Sequence, residues 1–258
     1  MKIIQIFFTA IFSVYALIIF VALMFVLFPF VVIASLFGNI TGGNMIYSIC
    51  RLWADVFMLL TGIFHKNIFE APKVTGHPVV FVFNHISYMD IPILMKAFRK
   101  QPIRILAKAE MAKVPIFGFI YRKATVMVQR SSTGARVKSV MQLTAVLRKN
   151  ISIVLAPEGT FNMTNKPLKD FYGGAFRAAI ETQTPIQPVL FLDGYSRLNY
   201  ESVFSLTPGK SRAVFLQEIA VNNFTLQDVQ ALKQIVYKKM EAALLRYDAA
   251  WINGTAHE

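Results

Sequence analysis

The stretch VVFVFNHISYMD, residues 79–90, decides the fold. Its first five residues are β-branched or aromatic without interruption, the composition of a strand buried on both faces. A short polar turn follows, and 89–98 then reads as a helix. A strand that hands over to a helix in this way is the building unit of a parallel sheet covered by helices. Ligands of such sheets bind at the carboxyl ends of the strands, so His85 stands where a reactive side chain belongs. The spacing of five to Asp90 lets the chain turn until the carboxylate accepts a hydrogen bond from one imidazole nitrogen. The other nitrogen is left to take a proton from a hydroxyl. That is a base and its orienting acid with no nucleophile.

Downstream the pattern repeats. IRILA (103–107), TVMVQ (125–129), SIVLA (152–156), IQPVLFLD (186–193) and SRAVFLQEI (211–219) read as strands, with helices predicted over 114–122, 134–149, 174–181 and 226–247. The expected fold class is α/β, a largely parallel sheet flanked by helices. Several strand ends carry residues with chemical capacity. Strand 152–156 runs into Pro157-Glu158-Gly159-Thr160, where the glycine permits a sharp turn and Glu158 can accept hydrogen bonds. Strand 125–129 ends at Arg130, whose planar fork suits a phosphate. Helix 174–181 opens on Gly173-Gly174, whose exposed amides would favour an anion, although close helix packing explains the glycines equally well.

Upstream the chain changes character. No charged residue occurs between Ile3 and Cys50, and the run reads as a membrane-immersed segment, too long for the apolar region of a cleavable signal. Pro29 makes a single tilted span, a kinked span and a re-entrant hairpin all compatible with it. Residues 44–64 admit Arg51 and Asp55, four apart on one helical face, and read either as an interfacial amphipathic helix or as a helix packed on the domain with its ion pair exposed. The organisation expected is an anchor with interfacial helices over 1–64 and an α/β domain over 65–258. Basic residues from Lys66 to Arg104 place the domain on the cytoplasmic side by the positive-inside tendency.

Composition narrows the class. The chain has 258 residues, 55% hydrophobic and only 16% charged, too apolar for a typical soluble enzyme and too charged for a multi-span transporter. Its net charge of +13 attracts anionic headgroups, acidic carriers or phosphorylated cofactors. Nucleic acid would be attracted too, but no recognition motif accompanies the charge. The single Cys50 excludes an intrachain disulfide and a cysteine-rich metal site.

NHISYMD (84–90), AEMAKVPIFGFIYRKATVMVQR (109–130), APEGT (156–160) and TPIQPV (184–189) occur in the order found in the lysophosphatidic acid acyltransferase family of the glycerolipid acyltransferases, which the chain resembles from about Phe83 to Val189. The resemblance implies His85 as general base with Asp90 orienting it. It implies that Asn84, Arg130, Glu158, Gly159 and Thr160 bind substrate, and that an acyl thioester, acyl-CoA or acyl-carrier protein, donates to a lysophospholipid at a bilayer. It implies no metal, no further cofactor and no nucleic acid. Two departures bear on the acceptor. Many members carry arginine after the Glu-Gly-Thr turn, where this chain has Phe161, and many carry a Gly-x-Ile-Phe-Ile-Asp-Arg block where this chain reads Ala124 to Arg130. Lys166, Lys169, Arg122 and Lys123 lie near enough to compensate, and a different lysolipid, such as a lyso-aminolipid, is the alternative acceptor. A lipid-binding scaffold without catalysis is the rival from another class.

Overall fold

The computed structural model describes residues 2–72, 76–99, 102–114, 116–128 and 133–252. Arg130 lies outside the described residues. The chain runs α1 (Lys2–Ser35), a π-helical turn (Gly38–Gly42), α2 (Gly43–Leu60), β1 (Ile63–Phe69), β2 (Val80–Phe83), α3 (Asp90–Ala97) and β3 (Ile103–Lys108). It continues through a 3₁₀ turn (Ala109–Lys113), α4 (Phe117–Ala124), β4 (Thr125–Val128), α5 (Thr133–Leu147), β5 (Ser152–Leu155) and α6 (Gly174–Thr182). It closes with β6 (Ile186–Phe191), α7 (Gly194–Arg197), β7 (Gly209–Phe215) and α8 (Val229–Arg246).

The strands form one sheet in the order β1-β7-β6-β2-β5-β3-β4. β6, β2, β5, β3 and β4 run parallel; β7 turns antiparallel to β6 and carries β1 at the edge. This is the α/β fold with a largely parallel sheet that the sequence predicts. Every residue of β2, β5 and β6 is buried, which explains their unbroken apolar composition. Successive side chains of a strand point to opposite faces, so Val80 and Val82 enter one core, with α5, α6 and α8. Phe81 and Phe83 enter the other, with α1, α2 and α3.

Two elements were not expected. β1 begins at Ile63, so the domain boundary placed at residue 64 falls inside a strand. Only Ile63 of this edge strand is fully buried, and Lys66 and Asn67 interrupt any alternation that a pattern reading could follow. The break was nonetheless present in sequence, because Gly62 takes φ +61 just past the end of α2, the conformation that ends helices on glycine. The four-residue α7 is too short for a periodic signal.

The apolar run forms a helical hairpin. α1 continues without a break through Pro29, and α2 folds back along it, since Tyr15 Oη donates to Leu60 O (3.3 Å) and Phe20 meets both Trp53 and Phe57 edge-on. Among the described residues α1 is the one helix long and apolar enough to cross a membrane. It does not merely protrude from the domain. Ser13 Oγ accepts the Leu206 N–H (3.0 Å) and Phe28 packs on Phe119, contacts about 22 Å apart along the helix axis. α2 takes the packed reading, with Ile46, Tyr47, Ala54, Phe57 and Met58 buried in the sheet core. The expected Arg51–Asp55 pair is replaced: Asp55 accepts from Lys96 Nζ (2.6 Å) and pairs with Arg99, because the end of α3 docks beside it.

Arg104 ties this hairpin to the sheet. Its guanidinium is buried and donates to Asn44 Oδ1 (2.9 Å), Ile103 O (2.8 Å), Asn39 O (3.1 Å) and Ile40 O (3.2 Å). It lies so close to Gly43 that a Cβ there would come within 2.6 Å of Nη2. Arg104→Met keeps the apolar stem and removes the donors, and should lower stability by about 2–4 kcal/mol. An unchanged thermal midpoint in the detergent-purified variant would show that the guanidinium does not hold the turn.

Candidate active site

β2 ends at Phe83, and the next residue extends its pairing through a side chain. Asn84 Nδ2 donates to Phe191 O (3.1 Å) and its Oδ1 accepts the Phe191 N–H (2.8 Å), so the amide acts as one more rung towards β6. The side chain is buried and both polar atoms are committed to backbone. The structure therefore places Asn84 under the site, holding the turn.

His85 is held on both sides of its peptide. Its N–H donates to Glu158 Oε1 (2.9 Å) and its C=O accepts the Asn162 N–H (2.7 Å). Its Nδ1 lies 2.6 Å from Asp90 Oδ2. A carboxylate can only accept, so Nδ1 carries the proton and Nε2 presents a lone pair. The same Oδ2 accepts the N–H groups of Ile86 (3.0 Å) and Ser87 (3.2 Å), and Asp90 opens α3, where the helix dipole favours a negative charge. Gly194 covers the other oxygen: a Cβ there would stand 3.3 Å from Asp90 Oδ1 and 3.1 Å from Ser87 Cβ. The imidazole remains 29% exposed while Asp90 is only 3% exposed, so the base meets solvent and its partner does not.

Glu158 faces inward. Besides His85 it accepts the Lys169 N–H at Oε2 (2.9 Å), so both oxygens serve the backbone of the two flanking loops. Burial pushes its carboxyl up to about 7, against these two hydrogen bonds, which pull it down. Gly159 has φ +75 and donates to Ala156 O (3.1 Å), which turns the chain sharply. Thr160 is exposed, and its hydroxyl accepts from Lys169 Nζ (2.7 Å). A cleft of about 460 Å³ opens beyond Glu158, lined by Lys166, Lys169, Tyr172 and Tyr237 among others.

Two contributors escaped the sequence reading. The Phe161 ring lies on the imidazole of His85, with centroids 4.3 Å apart, and Tyr88 packs edge-on against Phe161 at 5.0 Å. From sequence Phe161 was visible only as a missing arginine. Asn162 organises the loop, accepting from Thr164 N (3.1 Å) and Thr164 Oγ1 (2.6 Å) and donating to Lys166 O (2.8 Å). Asn-x-Thr after a glycine turn is a legible signal for such a side-chain-closed turn. Close packing accounts for Gly173, where a Cβ would meet Val229 at 3.3 Å, whereas one on Gly174 would make only ordinary contact with Val140 at 3.6 Å.

An acyltransferase family profile matches residues 63–192. The chain is 30% identical over 172 residues to human 1-acyl-sn-glycerol-3-phosphate acyltransferase beta, covering 66% of this chain and 61% of that protein. It is 32% identical over 121 residues to the lyso-ornithine lipid O-acyltransferase of Pseudomonas aeruginosa, covering 46% of this chain and 44% of that one. The matched segment thus spans less than two thirds of either relative. The crystal structure of the 1-acyl-sn-glycerophosphate acyltransferase PlsC from Thermotoga maritima superposes with a TM-score of 0.73 at 19% identity, covering 97% of this chain and 99% of that chain.

The buried Glu158 proton has a measurable consequence. A carboxyl that titrates higher in the folded chain than its ordinary value of 4.5 binds more protons folded than unfolded between the two. Stability therefore falls as pH rises from about 4.5 to about 7, by on the order of 3 kcal/mol. Thermal unfolding across that window should show the fall in the native chain and its loss in Glu158→Gln; identical pH profiles would remove the buried proton from the account.

Proposed function

The chain belongs to the acyltransferase family, and on that premise we propose that it moves a fatty acyl group from a thioester, acyl-CoA or acyl-carrier protein, to the sn-2 hydroxyl of 1-acylglycerol-3-phosphate, giving phosphatidic acid. The observation that carries the reading is the His85–Asp90 pair at the end of β2, with the Nδ1 proton committed and Nε2 left to act. Nε2 takes the proton of the acceptor hydroxyl as its oxygen attacks the thioester carbonyl. The tetrahedral intermediate then expels the thiolate, which recovers that proton from the imidazolium. Asp90 steadies the positive ring in between, and the thioester is reactive enough that no covalent acyl-enzyme is needed. The step uses no metal and no cofactor besides the donor.

α1 and the exposed apolar residues of α2 keep the site beside a bilayer, where the acceptor's acyl tail can stay. The domain faces the cytoplasm in this reading, where the basic residues after α2 favour it and both donors are found. Lys169 and Lys166, around the cleft beside Glu158, take the acceptor's phosphate in place of the arginine that Phe161 replaces. A second reading is a lyso-aminolipid acceptor. Phe161 and Tyr88 put aromatic surface rather than a cation next to the base, and one relative carries the name of a lyso-ornithine lipid acyltransferase.

Labelled long-chain thioester, given in CoA and carrier-protein forms to the purified chain with lysophosphatidic acid or lyso-ornithine lipid, separates the two. His85→Ala should lose at least a hundredfold in turnover with either acceptor, and activity within a few fold of the native chain would refute the base. Phe161→Arg should shift kcat/KM towards lysophosphatidic acid by about tenfold. Product from lyso-ornithine lipid alone would keep the mechanism and replace the acceptor.

A further inference from the structure

α2 carries a polar stripe that the proposed reaction does not use. Asn44, Ser48, Arg51 and Asp55 recur at helical spacing on the side of α2 turned to α3 and β3. Lys96 and Arg99, from the end of α3, reach across to Asp55. Two cations thus share one carboxylate, and Arg51 adds a third positive charge one helical turn before it on α2. Next to Arg51 and Arg99 lies a cleft of about 190 Å³ lined by both and by Asn44, with Tyr47 and Ile103 in its wall.

The chemistry of this cleft selects an oxyanion. Arg51 and Arg99 stand close together, and burial followed by the Arg99 charge lowers the Arg51 pKa from its usual value. An anion between the two guanidinium groups would relieve both effects, and their planar forks match phosphate oxygens. Asn44 contributes the same polarity, because its Oδ1 accepts from Arg104 and leaves the N–H₂ to donate.

The surroundings select a lipid. Directly beside the polar stripe, α2 leaves Met45, Leu52 and Leu59 exposed by 39%, 52% and 69%, and the adjoining α1 exposes apolar residues along its length. A bilayer that covers this surface brings its headgroup layer to the level of Arg51 and Arg99. The cleft is also remote from the base. Ile103 begins β3, which runs parallel to β2 through β5, so the cleft lies at the amino ends of the strands and His85 at their carboxyl ends.

We propose that this cleft binds the phosphate of an anionic phospholipid headgroup, at a site separate from the acyl acceptor. The proposal does not depend on which acceptor the enzyme uses. Retention of phosphatidylglycerol and of phosphatidylcholine by the detergent-purified full chain, titrated by native mass spectrometry, tests it, with inorganic phosphate in a parallel arm. The native chain should prefer phosphatidylglycerol by about tenfold in Kd, and Arg51→Gln/Arg99→Gln should reduce the preference to less than about twofold. Asp55→Asn, which releases Lys96 and Arg99, should tighten phosphatidylglycerol by about threefold, an increase that damage to the fold would not produce. Equal retention of the two lipids by the native chain, or a preference that survives the double substitution, would overturn the site. Inorganic phosphate held as tightly as phosphatidylglycerol would overturn the lipid as its source.

Discussion

Both oxygens of Glu158 accept a backbone N–H, one from His85 at the end of β2 and one from Lys169 in the loop before α6. Burying a carboxylate is costly, and the cost is tolerated where its lone pairs are satisfied at good geometry. Here the two bonds lock together loops that would otherwise diverge from neighbouring strands. With the His85 carbonyl also held by Asn162, the imidazole has little choice but to reach Asp90, and Phe161 is set down upon it. Glu158 is in this sense the keystone of the site, and it also lines the cleft beside it. The positive φ of Gly159 belongs to the same constraint, since the chain must reverse at once after the carboxylate is buried.

The membrane hairpin and the catalytic sheet share one core. Phe81, Phe83 and Phe191 on the sheet and Ile46, Phe57 and Met58 on α2 pack in a single cluster that also takes in Ala16, Val31 and Ala34 of α1. An anchor joined by a flexible tether would leave the active site free to wander relative to the bilayer. One that supplies a face of the sheet fixes the orientation, and Arg104 reinforces it by holding the carbonyls of the turn between the two helices. His85 at the carboxyl ends of the parallel strands and the basic cleft at their amino ends are therefore set at fixed positions relative to the same apolar surface.

Around the base the electrostatic arrangement is economical. Asp90 takes three hydrogen bonds on one oxygen, starts a helix and lies almost wholly out of water, all of which keep it a fixed acceptor for the Nδ1 proton of His85. The other face of the ring meets Phe161 instead of a cation. Lys166 and Lys169 stand further along the loop, around the cleft beside Glu158.

Much of this was legible in the chain itself, because its signals are local. Unbroken apolar runs mark strands buried on both faces, the hand-over at Phe83 to Asn84 marks a strand end, and five residues separate an imidazole from its carboxylate whatever the rest of the chain does. The fold class follows from these, and the His85–Asp90 pair from these together with the other ordered motifs of the family resemblance. The edge strand β1 did not, because its partner β7 lies far along the chain and its own residues do not alternate. Nor did the inward turn of Glu158 and Asn84, the ring of Phe161 on His85, or the exchange of Arg51 for Lys96 and Arg99 as partners of Asp55. Each depends on which side chain meets which across tens of residues of intervening chain, and only the packing of helices on the sheet determines that.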